Sequence, residues 1–293
     1  MPDFGTALAV LAGQGLELDA ASARPVGGGC IHGAWRLEGR GGPVFLKTCP
    51  AASGWLLESE ADGLAGLSEA GSLRVPEVLG LGIDDSGGWL ALEWLELRAP
   101  SRDSERALGE GLAHQHGVAG PHFGWRRDNA IGATPQPNGP LDDWSRFFAE
   151  RRIGFQLEYG RRRGLPSRLL SRGERLVEAV PELLAGRRPV PALLHGDLWG
   201  GNRAADSAGR PVVFDPAVHY GDPECDLAMT RLFGAFDRAF YEAYDAVLPP
   251  APGRALRLRL YQLYHVLNHA NLFGGGYTGQ AERIIDGVLA ERG

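Results

Sequence analysis

The sequence predicts an α+β chain of two unequal lobes, a small β-rich N-terminal lobe with one main helix and a larger, mostly α-helical C-terminal lobe. Three observations predict it. Before residue 95 the apolar residues come in short β-branched and aromatic runs separated by glycine turns. From Ser101 onward they recur at helical spacing. Residues 192–217 interrupt that helical pattern with a short strand, a polar loop and a hairpin.

Residues 4–13 read as a short helix and 16–22 as its exit. Strands follow at 24–26, 34–38 and 44–48, the last two joined by the turn "GRGG". Residues 53–70 place Leu56, Leu57, Leu64 and Leu67 at helical spacing, with Gly71 as a stop. Strands at 78–83 and 88–95 flank the hairpin turn "DDSGG". Helices are then expected at 103–117, 142–163, 166–185, 222–246, 254–273 and 278–291. The lobes are therefore set at 1–95 and 96–293, and the crevice between such halves is a natural ligand site.

The 293-residue chain is 44% hydrophobic and 23% charged, ordinary for a globular protein. Its net charge of −6 argues against nucleic acid or an anionic membrane as partner. The start "MPDFGTALAV" lacks the basic and apolar regions of a signal peptide, and no apolar run reaches the length of a membrane span. Three scattered cysteines, Cys30, Cys49 and Cys225, fit a reducing cytoplasm. Of 30 basic residues, 29 are arginine and only Lys47 is lysine.

Chemistry concentrates in "LLHGDLWGGN", where an apolar lead-in positions a polar loop carrying Asp197 and, five residues later, Asn202. Protein kinases use an Asp in such a loop to accept the attacking hydroxyl's proton, and an Asn five residues on to hold Mg²⁺. The apolar strand "VVFDPA" ends in Asp215, where a carboxylate Mg²⁺ ligand belongs. "PVGGGCIHGAW" offers Gly27, Gly28 and Gly29 as a phosphate-approaching turn, though it is no clean G-x-G-x-x-G. One strand later comes Lys47, whose compact ammonium suits a site between phosphates better than a wider guanidinium. Its expected partner is a glutamate of the next helix, with Glu60 preferred over Glu58 on spacing. The chain holds no Walker-type G-x-x-x-x-G-K-[ST].

Together with "ESEADGLAGL", "DNAIGATPQPN", "DDWSRFFAERR", "FDPAVHYGDPECDLAMTRLFGAF" and "LYQLYHVLNHANLFGGGY", these segments resemble the fructosamine kinase (ketosamine-3-kinase) family. That family shares the protein-kinase-like fold with aminoglycoside phosphotransferases and choline kinases. The resemblance covers nearly the whole chain and implies ATP and Mg²⁺ as cofactors. The implied substrate is a small or protein-bound ketoamine, phosphorylated at the 3-hydroxyl so that the adduct later releases its amine. It implies Asp197 as base, Asn202 and Asp215 as metal ligands, and Lys47 with Glu60 as nucleotide clamp. Glu93, Trp94 and Leu95 become the adenine-contacting hinge, and Asp226 a brace for the catalytic loop. Trp199, beside the catalytic loop, is read as a wall of the sugar site because aromatic faces suit sugar C–H surfaces, and His269 as a pocket-lining substrate residue. The resemblance further implies Cys30 as a redox-sensitive thiol able to link two subunits. A monomer and a homodimer are both open. "HGD" stands where protein kinases have "HRD", and no APE segment follows Asp215, which favours a small-molecule kinase assembled without activation. The alternatives are another phosphotransferase of the same superfamily, or a catalytically silent nucleotide-binding redox sensor.

Overall fold

A computed structural model describes residues 4–27 and 33–291. The N-terminal lobe runs α1 (Gly5–Gly13), β1 (Leu18–Pro25), β2 (Gly33–Gly39), β3 (Val44–Cys49), α2 (Gly54–Ala70), β4 (Val78–Asp84) and β5 (Gly87–Glu93). The strands form one antiparallel sheet in the order β1-β2-β3-β5-β4. Side-chain alternation along β3 decides what each face meets. Val44 and Leu46 join Phe4, Leu11, Leu37 and Trp89 in a small core under α1. Phe45, Lys47 and Cys49 point the other way, beside Leu90 and Leu92, towards α2. Parity alone therefore puts the lone lysine on the face that carries Glu60. Helix α2 ends as expected at Gly71, whose φ of 68° is the left-handed conformation glycine allows.

Residues 16–22, expected as the exit of the first helix, instead enter β1. This is an edge strand, mostly exposed, with a register shift between Asp19 and Arg24. Its weak apolar alternation reflects that exposure.

The second lobe begins with α3 (Arg102–Gln115), capped by a reciprocal Ser101–Ser104 pair. A short hairpin, β6 (Asn129–Ile131) and β7 (Thr134–Gln136), follows. Next comes one continuous helical rod: α4 (Trp144–Phe147), π-helical turns over Phe148–Gly154, and α5 (Phe155–Arg162). Those wider turns let Phe147, Phe148, Arg152 and Ile153 all face inward. After α6 (Ser167–Leu183) come β8 (Ala192–Leu194), β9 (Arg203–Ala205), β10 (Pro211–Val213) and β11 (His219–Gly221). Strand β8 pairs with β11 and β9 with β10. The chain closes with α7 (Glu224–Leu232), α8 (Arg238–Val247), α9 (Arg254–Phe273) and α10 (Gly276–Ala290).

The single helix expected over 222–246 is two. Gly234 (φ 72°) and Ala235 (φ 78°) both turn left-handed, and Asp237 caps a new helix by accepting the Ala239 N–H at 2.7 Å. The β6–β7 hairpin was not foreseen, since three-residue strands are too short to show a period. It is held by buried amides. Asn129 donates to the Val218 carbonyl (2.8 Å), Gln136 to Asn129 (2.8 Å), and Asn138 to Asn129 (2.7 Å). The buried Arg152 donates to Asn138 and to the Pro137 carbonyl. No described helix is long and apolar enough to cross a membrane.

Helix α3 packs on α8 at Gly109, where an added Cβ would stand 2.1 Å from the Phe240 carbonyl oxygen. Alanine normally favours a helix over glycine by about 1 kcal/mol. Here the clash is with backbone, whose relief costs roughly 1–3 kcal/mol or more. Gly109→Ala should therefore lower Tm; an unchanged or raised Tm in a thermal melt would refute this packing argument.

Candidate active site

Lys47 Nζ lies 2.7 and 2.8 Å from the two Glu60 carboxylate oxygens and 2.6 Å from Asp215 Oδ1. One ammonium thus ties the first lobe's sheet and helix to the second lobe. Burial would lower the Lys47 pKa, but Glu60 and Asp215 outweigh it and hold the amine protonated. Burial would likewise raise Asp215, and Lys47 instead keeps it below the usual carboxylate range. Asp215 sits at φ 54°, a left-handed conformation that Asp tolerates better than most residues.

The loop after β8 carries Asp197. Gly196, at φ 84°, passes so close to the Ala217 carbonyl that a Cβ would come within 1.9 Å of its oxygen. No side chain fits there. Asp226, buried at the start of α7, accepts the backbone N–H groups of His195 and Gly196, each at 2.8 Å. His116 Nε2 lies 3.1 Å from the same carboxylate, and its Nδ1 is 2.7 Å from the Tyr244 hydroxyl. Burial alone would raise Asp226, but the His116 bond and charge, with the loop amides, hold it at about 2.

His195 Nε2 faces the Phe214 carbonyl at 3.1 Å, so that nitrogen carries the proton and Nδ1 accepts the Asp197 N–H at 3.3 Å. Burial keeps this imidazole neutral. Asp197 itself is raised to about 7, first by burial and then by the Asp215 and Asp226 charges. Asn202 donates its amide to the Asp197 carbonyl (2.9 Å), with Asp197 Oδ2 and the Asp215 carbonyl each at 3.4 Å. With Nδ2 engaged in these contacts, the amide oxygen is the part of the Asn202 side chain that would serve a metal ion. An amide oxygen and a carboxylate are hard donors suited to Mg²⁺, which takes its remaining ligands from phosphate and water. The described residues hold no cluster of three or more His, Cys, Asp or Glu able to bind a metal unaided.

Beside this loop, Trp199 is 40% exposed, so it is not a core residue. Its ring meets Phe233 edge-on at 6.2 Å; Phe233 in turn contacts His269 at 5.1 Å, and His269 contacts Phe273 at 5.6 Å and Tyr277 at 5.0 Å. His269 Nδ1–H donates to the His265 carbonyl at 2.8 Å, which leaves Nε2 as an acceptor. Trp199 and His269, singled out in the sequence, thus share one aromatic wall. Phe233, Phe273 and Tyr277 were missed, although His269, Phe273 and Tyr277 recur four residues apart. His265, buried on the same helix, has Nδ1 at 4.0 Å from Asp197 Oδ1 and is depressed to about 3 by burial and by His269.

At the strand end, the Glu93 carboxylate is taken by Arg74 (2.5 Å) and its N–H by the Glu77 carbonyl (2.9 Å). The Trp94 ring lies under the Arg36 guanidinium, 4.9 Å from its centroid. Gly27 follows β1; Gly28, Gly29 and Cys30 lie outside the described residues.

A carboxyl raised by folding binds its proton more tightly in the native state than in the unfolded chain. Asp197 therefore costs nothing below about pH 4, costs increasingly up to pH 7, and costs a constant amount above. In protein free of nucleotide and Mg²⁺, Asp197→Asn should add roughly 2–4 kcal/mol of stability at pH 8 and little at pH 4. Equal effects at both pH values in denaturant titrations would contradict the raised carboxyl.

Comparison with known proteins follows the same lines. The fructosamine kinase family model matches residues 6–291. The "Probable ketoamine kinase" of Synechocystis is 45% identical over 91% of this chain and 90% of its own length. The chloroplastic "Protein-ribulosamine 3-kinase" of Oryza sativa subsp. indica is 41% identical over 90% of this chain and 78% of its own length. The crystal structure of a fructosamine-3-kinase candidate from Haemophilus somnus superposes with a TM-score of 0.87 at 30% identity, covering 97% of this chain and 96% of that one. At 20% and 17% identity, a macrolide 2'-phosphotransferase and an aminoglycoside phosphotransferase share the fold, with TM-scores of 0.59 and 0.61 over 96% and 95% of this chain. With the Lys47–Glu60 pair joined through Asp215 to the Asp197–Asn202 loop, and a family match over almost its full length, the chain belongs to the fructosamine kinase family.

Proposed function

We propose that this protein transfers the γ-phosphoryl group of ATP to the 3-hydroxyl of a ketosamine, so that the phosphorylated adduct then breaks down and frees its amine. The observation that carries this reading is the convergence of Lys47 and Glu60 from the first lobe with Asp197, Asn202 and Asp215 from the second. Residues 1–95 act as the nucleotide-clamping lobe and 96–293 as the catalytic and substrate lobe. Lys47, steadied by Glu60, reaches the phosphates, and the glycine-rich sequence from Gly27 to Gly33 is assigned the role of binding them. Glu93 has its N–H and carboxylate engaged, so adenine contact at the hinge falls chiefly to the Trp94 and Leu95 backbone.

Asn202 and Asp215 would hold Mg²⁺, which supplies charge neutralisation on the phosphates. Asp197 takes the proton of the attacking hydroxyl. The acceptor's hydroxyl oxygen bonds to the γ-phosphorus while the bridging bond to the β-phosphate breaks and ADP leaves. A carboxyl poised near neutrality is suited to accept that proton. Trp199 and His269 line the sugar side, where aromatic faces meet C–H surfaces. The acceptor is a free or protein-bound ketosamine, and the compartment is the reducing cytoplasm, in keeping with the free buried thiols of Cys49 and Cys225. Cys30 would be a redox-responsive position in the phosphate turn.

ATP turnover measured against fructosamines, ribulosamines and erythrulosamines, with an aminoglycoside and choline as controls, tests the reading. Turnover confined to a control would reject it. Asp197→Asn should lose about 10²–10⁴-fold in kcat while still binding ATP. Lys47→Arg keeps the charge but not the compact geometry and should likewise cripple transfer; near-normal kcat would show the lysine dispensable. Trp199→Ala should raise the ketosamine KM and leave the ATP KM alone.

A further inference from the structure

Helix α2 carries more than Glu60. Asp62, two residues on, stands about 200° around the helix and so on nearly the opposite side from the Lys47 contact. Its carboxylate accepts the indole N–H of Trp125 at 2.5 Å and the Arg126 Nε–H at 2.8 Å, with Arg126 Nη2 at 2.6 Å. The Arg126 guanidinium also covers the Trp125 ring at 5.2 Å. Next to it, Arg127 pairs with Glu58 at 2.9 Å. Two glycines bring the helix close enough. A Cβ on Gly66 would sit 2.8 Å from the Trp125 ring, and one on Gly63 would sit 3.0 Å from Pro216, the residue after Asp215.

Trp125 is itself anchored. It is buried, its ring lies 5.3 Å from that of Tyr220, and Gly124 exchanges two backbone hydrogen bonds with Tyr220 at 2.9 and 2.7 Å. Tyr220 lies on β11, paired to β8, which leads into the Asp197 loop. Asn129 and Gln136, just beyond Trp125, bond the Val218 and Ala217 carbonyls. A single segment, 124–138, therefore grips both α2 and the stretch that follows Asp215.

We propose that residues 124–138 form a built-in latch on α2, with Asp62 as a positioning residue that fixes the helix's rotation and so keeps Glu60 on Lys47. The physical reason lies in the geometry of a helix held on two sides. With Asp62 fixed to Trp125, a turn of α2 by one residue's 100° would have to break that bond as well as the Glu60–Lys47 contact, so the helix resists rotation from both sides. The latch does within the chain what an ordered activation segment would otherwise have to do. It rests on the proposed role of Lys47 and Glu60 in holding the nucleotide.

The test uses the full-length enzyme with Asp62→Asn, Trp125→Phe and the exposed, fold-neutral Arg126→Gln. Two quantities are read: steady-state kinetics with ATP and a ketosamine, and hydrogen exchange of the 58–66 amides in nucleotide-free protein. The expected result is a kcat about tenfold lower, a raised ATP KM, an unchanged ketosamine KM and faster exchange in α2, with Arg126→Gln showing the same pattern more weakly. Asp62→Asn combined with Trp125→Phe should be no worse than the more severe single variant. ATP KM, kcat and α2 exchange within twofold of wild type in all three would overturn the latch. So would an equal loss in both KM values accompanied by exchange that rises across the whole fold, which marks a merely structural role. Because the exchange measurement needs no turnover, an enzyme inactive on ketosamines can still show the latch, and unchanged exchange in an active enzyme rejects the latch alone.

Discussion

The Asp226 carboxylate is the point on which the rest of the site depends. A buried charge without partners would be severely unfavourable. Here two backbone amides of the catalytic loop and one histidine satisfy it. The arrangement works in both directions. The loop amides stabilise the carboxylate, and the carboxylate forces the chain through the sharp turn at Gly196 that presents Asp197. The His116–Tyr244 pair extends the same network to the end of α3 and to α8, so distant helices share in placing one loop.

On the side of the first lobe the controlling group has the opposite charge. Lys47 answers two carboxylates from different elements, at 2.7 and 2.6 Å. A compact ammonium can lie between both, whereas a planar guanidinium presents a wider fork. This gives a structural account of why an arginine-rich chain retains lysine at one position. It also shows how α2, whose buried face shares one continuous core with the second lobe, is tied to that lobe by polar contacts on two sides: the Lys47 bridge on one and the Asp62–Trp125 contact on the other.

Much of this was legible before any coordinates. The strand order of functional residues, the Asp197–Asn202 spacing and the helical start of Glu60 all follow from local pattern. The failures share one cause, which is that their signals are short or non-local. Strand β1 is an exposed edge and lacks alternation. The break between α7 and α8 rests on the backbone conformation of Gly234 and Ala235, and the sequence shows an apolar run there. The β6–β7 hairpin owes its shape to buried amides bonding carbonyls far along the chain, 81 residues away for Gln136 to Ala217 and 89 for Asn129 to Val218. Phe233, at the end of α7 just before that break, joins the aromatic wall through a contact with Trp199 more than thirty residues away in the chain.

Residue chemistry and local period were determined by the sequence itself. It specified which groups can accept a proton, hold a hard cation or pair with phosphate, and on which face of a strand Lys47 must lie. Tertiary structure decided the neighbours and so the electrostatics. A carboxyl ordinarily acidic becomes poised near neutrality at Asp197, because burial and two further carboxylates surround it. Another is driven down at Asp226, because amides and an imidazole converge on it. Identical side chains acquire opposite behaviour through contacts spanning more than a hundred residues of chain, such as His116 to Asp226. Such contacts leave no periodic trace in the sequence, since they arise when separate elements pack.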